Sequence, residues 1–157
     1  MINKIIIFLI ITSNLIIFSA NGDEQISFDV TEIEILDEGN TIIGKNRGTI
    51  TTNDGFTIEA DEFKFDKVEN TLKAQGNIIV TDQINDYNLS GQDILYKKNE
   101  EKIEIKGKAE VLVEKGYKFK SENIIFLRNE MIISSDIGAK IIDKITQTQY
   151  EIGKFSY

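Results

Sequence analysis

The sequence predicts an all-β chain built from bent two-strand units about thirty residues long, and three observations carry that expectation. Apolar side chains alternate with polar ones through Phe56, Ile58 and Ala60 and again through Phe63 and Phe65, as half-buried strands require. The alternation slips by one residue at Asp61-Glu62, and the same slip returns at regular intervals along the chain. After residue 22 no stretch sustains a 3.6-residue period, and β-branched residues are abundant.

Phe56 to Val80 is the template. A one-residue slip sends side chains to the opposite face unless the strand bulges or turns a corner, so Asp61-Glu62 marks a corner. Asp66 to Asn70 is polar and suits a reversal. Leu72, Ala74, Ile78 and Val80 lead back, and Gly76-Asn77 interrupts them where a bulge is easiest to form. Copies begin at Phe28, Leu89, Phe119 and Tyr150. The anchors Phe28, Ile58, Leu89, Phe119 and Tyr150 are spaced by 30, 31, 30 and 31 residues. Asn40-Thr-Ile42, Asn70-Thr-Leu72, Glu101-Lys-Ile103 and Glu130-Met-Ile132 open the returning halves. A period near thirty with one internal phase break signals a repeat whose units bury their apolar faces against their neighbours.

Taken in order, residues 23–50 hold the first copy, with Asp37 to Asn40 as its turn and Gly44 to Gly48 in place of Gly76-Asn77. Asn53-Asp54-Gly55 is a hairpin signal into the template. Lys97 to Glu101 turns the third copy, followed by alternation from Ile103 through Ile105, Gly107, Ala109 and Val111 to Val113. The fourth turns at Arg128-Asn129-Glu130 and returns weakly through Ser134 to Gly138. Ala139 to Thr148 reads as a strand pair. The fifth copy stops mid-unit at Tyr157, so a further turn and strand are expected downstream, and residues 23–157 read as a truncated piece of a longer protein.

Residues 1–22 differ from everything after them. Lys4, an apolar run from Ile5 to Phe18 and the small residues Ser19 to Gly22 have the pattern of a cleaved secretory signal peptide. The competing reading is an uncleaved anchor, which a run this short and polar in its middle disfavours. A net charge of −8 argues against nucleic acid and against adsorption to anionic headgroups. The absence of cysteine and histidine removes disulfides, thiolate chemistry, the usual zinc sites and the commonest general base. No proline is present, as suits a chain that is nearly all paired strand.

The run Ile58-Glu-Ala-Asp-Glu-Phe-Lys-Phe-Asp, a turn, then Leu72-Lys-Ala-Gln-Gly-Asn-Ile resembles the organic-solvent-tolerance (OstA-like) domain of the lipopolysaccharide transport system. The likeness covers nearly all of residues 26–157. It implies an open β-jellyroll, two antiparallel sheets meeting in a V whose apolar interior carries acyl chains. It also implies edge-to-edge joining with other jellyroll domains, and a periplasmic location associated with the outer membrane of a Gram-negative bacterium. The tail Ile142 to Tyr150 with Phe155-Ser-Tyr157 is most similar to the periplasmic domain of the outer-membrane assembly protein, with the periplasmic bridge protein next.

On that reading the groove-lining candidates are Ile58, Ala60, Phe63, Phe65, Leu72, Ala74, Ile78, Val80, Leu89, Ile94, Tyr96, Ile103, Ile105, Val111, Val113, Phe119, Ile124, Phe126 and Ile132. The partner is lipopolysaccharide through its lipid A acyl chains; no cofactor, metal or catalytic residue is expected. The carboxylates Asp61, Glu62, Asp93, Glu122 and Asp136 recur at the corners of the copies, which favours corner or solvent roles over acid–base catalysis. No glycine-rich phosphate loop is present, so the direction of transfer must come from machinery elsewhere. A free edge strand could accept another domain, unless Lys64, Lys73, Lys118 and Lys120 blunt it. The competing expectation is a secreted structural or adhesive β-solenoid whose inward residues only pack on one another.

Overall fold

The computed structural model describes residues 16–18, 26–52, 55–113 and 116–157. In chain order the strands are β1 (Ile16–Phe18), β2 (Ile26–Leu36), β3 (Thr41–Thr52), β4 (Phe56–Ala60), β5 (Glu62–Asp66) and β6 (Thr71–Asp82). Then come β7 (Tyr87–Lys97), β8 (Lys102–Val113), β9 (Tyr117–Leu127), β10 (Ile132–Ser135), β11 (Ala139–Asp143), β12 (Gln149–Ile152) and β13 (Phe155–Ser156). Among the described residues there is no α-helix; Asp37–Gly39 and Lys98–Glu100 are short 3-10 turns. The expected leader, residues 1–22, lies outside the described residues except for β1, which pairs antiparallel with Ile26 to Phe28.

All pairings are antiparallel. The order runs β1-β2-β3, then β4 and β5 end to end between β3 and β6, then β6-β7-β8-β9, with β10 and β11 end to end along β9. β13 flanks β10, and β12 flanks β11.

This ribbon is creased along one line. On each returning strand two residues face one on the neighbour: Asn46-Arg47 opposite Thr31, Gly76-Asn77 opposite Gln92, and Gly107-Lys108 opposite Glu122. All six have left-handed φ between 46° and 75°. Two residues against one is a bulge, which bends the strand and increases its twist. Between β4 and β5, Asp61 supplies the same corner: its N–H donates to the carbonyls of Gln75 and Gly76 (3.1 and 3.0 Å), and its carbonyl accepts from the Arg47 N–H at 2.9 Å. The aligned corners divide the ribbon into two sheets. The front sheet holds residues 26–30, 48–52, 56–60, 78–82, 87–91, 109–113, 117–121 and 139–143; the back sheet holds 32–36, 41–45, 62–66, 71–75, 93–97, 102–106, 123–127 and 132–135.

The corner expected at Asp61-Glu62 and the interruption at Gly76-Asn77 are both present. The alternation expected from Ile103 to Val113 is present, and it is carried across a bulge at Gly107-Lys108. An inserted pair leaves the period-two alternation in phase, so the sequence shows no slip there. The lysines expected to blunt an edge are reassigned. Lys64, Lys73, Lys118 and Lys120 sit on the interior strands β5, β6 and β9, while the edges among the described residues are β1 with the rest of β2 at one side and β12 and β13 at the other. Lys118 and Lys120 pair instead with Glu110 on β8.

Candidate functional site

The space between the two sheets is where the candidate residues converge. Register places them in rows that cross every strand. On the front sheet Phe28, Ile50, Ile58, Val80, Leu89, Val111 and Phe119 are successive partners. On the back sheet Ile42, Phe65, Leu72, Tyr96, Ile103, Phe126 and Ile133 form a matching row. A period-two strand puts alternate side chains on one face, and the repeat of thirty or thirty-one residues brings those faces into line.

Eighteen of the nineteen candidates are buried there, most at 0–4% exposure. The exception is Ile132, which is half-buried; its neighbour Ile133 points inward instead, at 0% exposure. The Arg128–Met131 turn sets this phase by pairing Ile133 with Phe126 and Ile132 with Leu127. The sequence reading did not place Ile26, Phe28, Ile42, Ile50, Phe56 and Ala109 in the interior. For Phe28, Ile42, Ile50 and Ala109 the signal was available, since each stands one repeat from a residue already assigned or pairs with one. Tyr150, the fifth anchor, is 50% exposed on β12, where no further strand of the described chain covers it.

In this conformation the interior is closed. Rings from opposite sheets meet across it: Phe28 and Phe65 at 6.0 Å between centroids, Phe56 and Tyr96 at 5.3 Å, and Tyr87 stacked on Phe126 at 5.0 Å. Such pairs contribute about 0.5–1.5 kcal/mol each beyond the area they bury. Concavities of about 570 and 660 Å³ lie on the outer surface. The first runs along the charged outer face of the back sheet past Lys45, Lys64 and Glu104, and the second follows the corner line past Arg47, Asn77 and Lys108.

At the mouth of the V, away from the corners, one polar cluster interrupts the apolar lining. Asp82 ends β6 on the front sheet and is wholly buried; Arg128 follows β9 on the back sheet and is 7% exposed. The Arg128 guanidinium donates to Asp82 (3.4 Å), to Glu101 and to the Tyr96 hydroxyl (3.3 Å), and it lies 4.3 Å above the Phe56 ring. Tyr96 in turn donates to Glu101 at 2.9 Å, and Asp82 accepts from the Asn85 backbone and side-chain amides at 3.0 Å. Burial, followed by the negative charge of Glu101, pushes the Tyr96 hydroxyl far above the usual tyrosine range, so it stays a neutral donor. Nothing local in the sequence betrays this cluster, because Arg128 reads as an ordinary turn residue.

The corner carboxylates are engaged structurally. Asp61 accepts from Arg47 at 3.2 Å and from the Asn77 side chain at 2.7 Å, and Gln75 donates to Asp93 at 2.9 Å. Among the described residues no group of three or more acidic side chains is placed to hold a metal ion.

A solved structure shares this architecture. The crystal structure of LptH, the LptA homologous periplasmic component of the lipopolysaccharide transport device from Pseudomonas aeruginosa, superposes with a TM-score of 0.63 over 69% of this chain and 79% of that one, at 15% sequence identity. The fold is the LptA-like β-jellyroll. No protein-family model and no curated protein matches the chain in sequence. In jellyroll terms the corner line is the spine of the V, and the Arg128 cluster closes its mouth.

Proposed function

We propose that the chain is a periplasmic carrier module for lipopolysaccharide, non-enzymatic, which shelters acyl chains between its two sheets and joins neighbouring jellyrolls edge to edge. The observation that carries this reading is the continuous double row of inward apolar side chains within a fold shared with a lipopolysaccharide transport component. Burial of acyl carbons at about 0.8 kcal/mol per CH₂ supplies the affinity without a charged clamp, which is compatible with an acidic protein. Residues 23–157 form the module on this reading, and residues 1–22 direct its export. The tail from Ile142 favours the periplasmic domain of the outer-membrane assembly protein, whereas the structural likeness is to a bridge component. Reading the genomic DNA beyond the Tyr157 codon separates the two: barrel strands support the first, and their absence the second.

One observation favours a second reading. The closed interior suits a secreted structural or adhesive repeat whose core is occupied only by itself. Photoreactive side chains at Phe63, Phe65, Ile105 or Phe126 decide between them. A carrier crosslinks to lipopolysaccharide from these positions; a repeat that never opens yields no lipid adduct.

A further inference from the structure

Among the described residues the buried charges are confined to one place. Among the described residues Asp82 and Arg128 are the buried charged side chains, and both sit at the mouth of the V, on opposite sheets, with Glu101 beside them. Elsewhere the sheets meet mainly through apolar side chains, with Ser121 and Ser135 hydrogen-bonded between them near the crease at 3.1 Å. Two ring pairs that span the interior, Phe56 with Tyr96 and Tyr87 with Phe126, stand next to the cluster. Arg128 therefore fastens the lip at the end of β6 to the lip at the end of β9.

The physical consequence of ions at this seam is specific. Closing the mouth strips water from three charges, and their mutual attraction only about offsets that cost. Opening returns the water, so the charged groups oppose parting much less than a seam of apolar side chains would. The geometry also fixes orientation, because a guanidinium can satisfy two carboxylates and a hydroxyl in one arrangement only. We propose that Arg128, Asp82, Glu101 and Tyr96 form a latch that holds the two sheets in register when empty and releases them for an entering acyl chain. This rests on the carrier reading given above.

The test uses the whole protein, which has no native cysteine. Spin labels at Ile84→Cys and Asn129→Cys, both exposed turn positions on opposite lips, report the width of the mouth. Stopped-flow fluorescence with labelled lipopolysaccharide reports uptake. Arg128→Met leaves the carboxylates unpaired; the label distance should lengthen and broaden, and uptake should quicken about tenfold. The triple variant Arg128→Met, Asp82→Leu, Glu101→Gln removes every charge from the seam and makes it mainly apolar; the distance should stay short, and uptake should slow about tenfold. If Arg128→Met does not fold, the triple variant decides alone. Uptake by the triple variant at the unmodified rate, or a change of the same sign in both variants, overturns the latch while the carrier reading stands. If no protein takes up the probe, the unmodified one included, the carrier reading fails and the latch falls with it.

Discussion

Replacing Gly76 with alanine tests whether the crease in the ribbon is as tightly determined as its geometry implies. Gly76 has φ +75°, a conformation that costs an L side chain about 1–2 kcal/mol. The added Cβ would lie 2.5 Å from Asp61 Oδ2 and 3.1 Å from Asp61 Cβ, so Asp61 must move. Asp61 holds the Arg47 guanidinium and the Asn77 amide at this corner, and loosening these partly exposed bonds adds about 1 kcal/mol. The expected loss is about 2–3 kcal/mol. For a chain of this size that corresponds to a fall in Tm of about 4–12 °C. Urea unfolding followed by circular dichroism should show a lower midpoint at unchanged slope. Gly153→Ala is the control: no heavy atom lies within 4 Å of its added Cβ and its φ is not left-handed, so the midpoint should stay put. A Gly76→Ala loss below about 0.5 kcal/mol would show that the bulge relaxes freely and that the two-sheet shape is not held at this line.

Phe126→Ala removes a fully buried ring and its stacked partner contact, and should cost about 3–5 kcal/mol in urea unfolding; a loss under 2 kcal/mol would mean that the interior collapses to fill the void. Lys64 and Lys73 are direct cross-strand partners on the exposed outer face, so Lys73→Glu should stabilise by about 0.2–1 kcal/mol at low salt and lose that gain in 1 M salt. Hydrogen bonds from Lys118 and then Lys120 hold the Glu110 carboxyl below its ordinary 4.5, and Lys102 does the same for Glu104. A depressed carboxyl adds stability that is complete above the ordinary value and is lost as pH falls through the folded one. Thermal stability should therefore weaken from about pH 4.5 downward, and Glu110→Gln should flatten that slope, its loss being full at pH 7 and fading as the pH falls.

Much of this architecture was legible because the repeat and the strand period reinforce one another. The slip at Asp61-Glu62 revealed the corner, since an odd insertion must break period two. Gly107-Lys108 stayed hidden because an even insertion does not, and only its glycine hinted at a bend. Ile132 was taken as inward because the fourth turn was aligned on Glu130-Met-Ile132; the structure carries Met131 at φ 57° and shifts the inward place to Ile133. The first copy's interior residues, such as Phe28 and Ile42, follow from register once the pairing is known. The mouth cluster could not be read at all. Asp82 and Arg128 are 46 residues apart, and turn residues of their types are ordinarily solvated.

The taper of the interior decides where a guest can lodge. Small residues line the front sheet beside the crease: Ala60 faces Gly48, Ala109 faces Ser121, and Gly91 faces Ile78. They let the sheets approach closely there and leave nothing that can swing aside. Toward the mouth stand Phe56, Tyr87, Tyr96 and Phe126, rings that can turn or separate. Exposing four such side chains to water costs roughly 6–12 kcal/mol, while ten methylenes brought out of water return about 8 kcal/mol. The two are comparable, so binding succeeds only if the guest covers the rings it displaces. On the carrier reading, entry would be an exchange of apolar contacts at the mouth and not the filling of a standing cavity. Photocrosslinking should accordingly be stronger from Phe126 than from Ala74, which lies one row nearer the crease. The reverse pattern would put the acyl chain at the spine, in the place where the packing leaves least freedom.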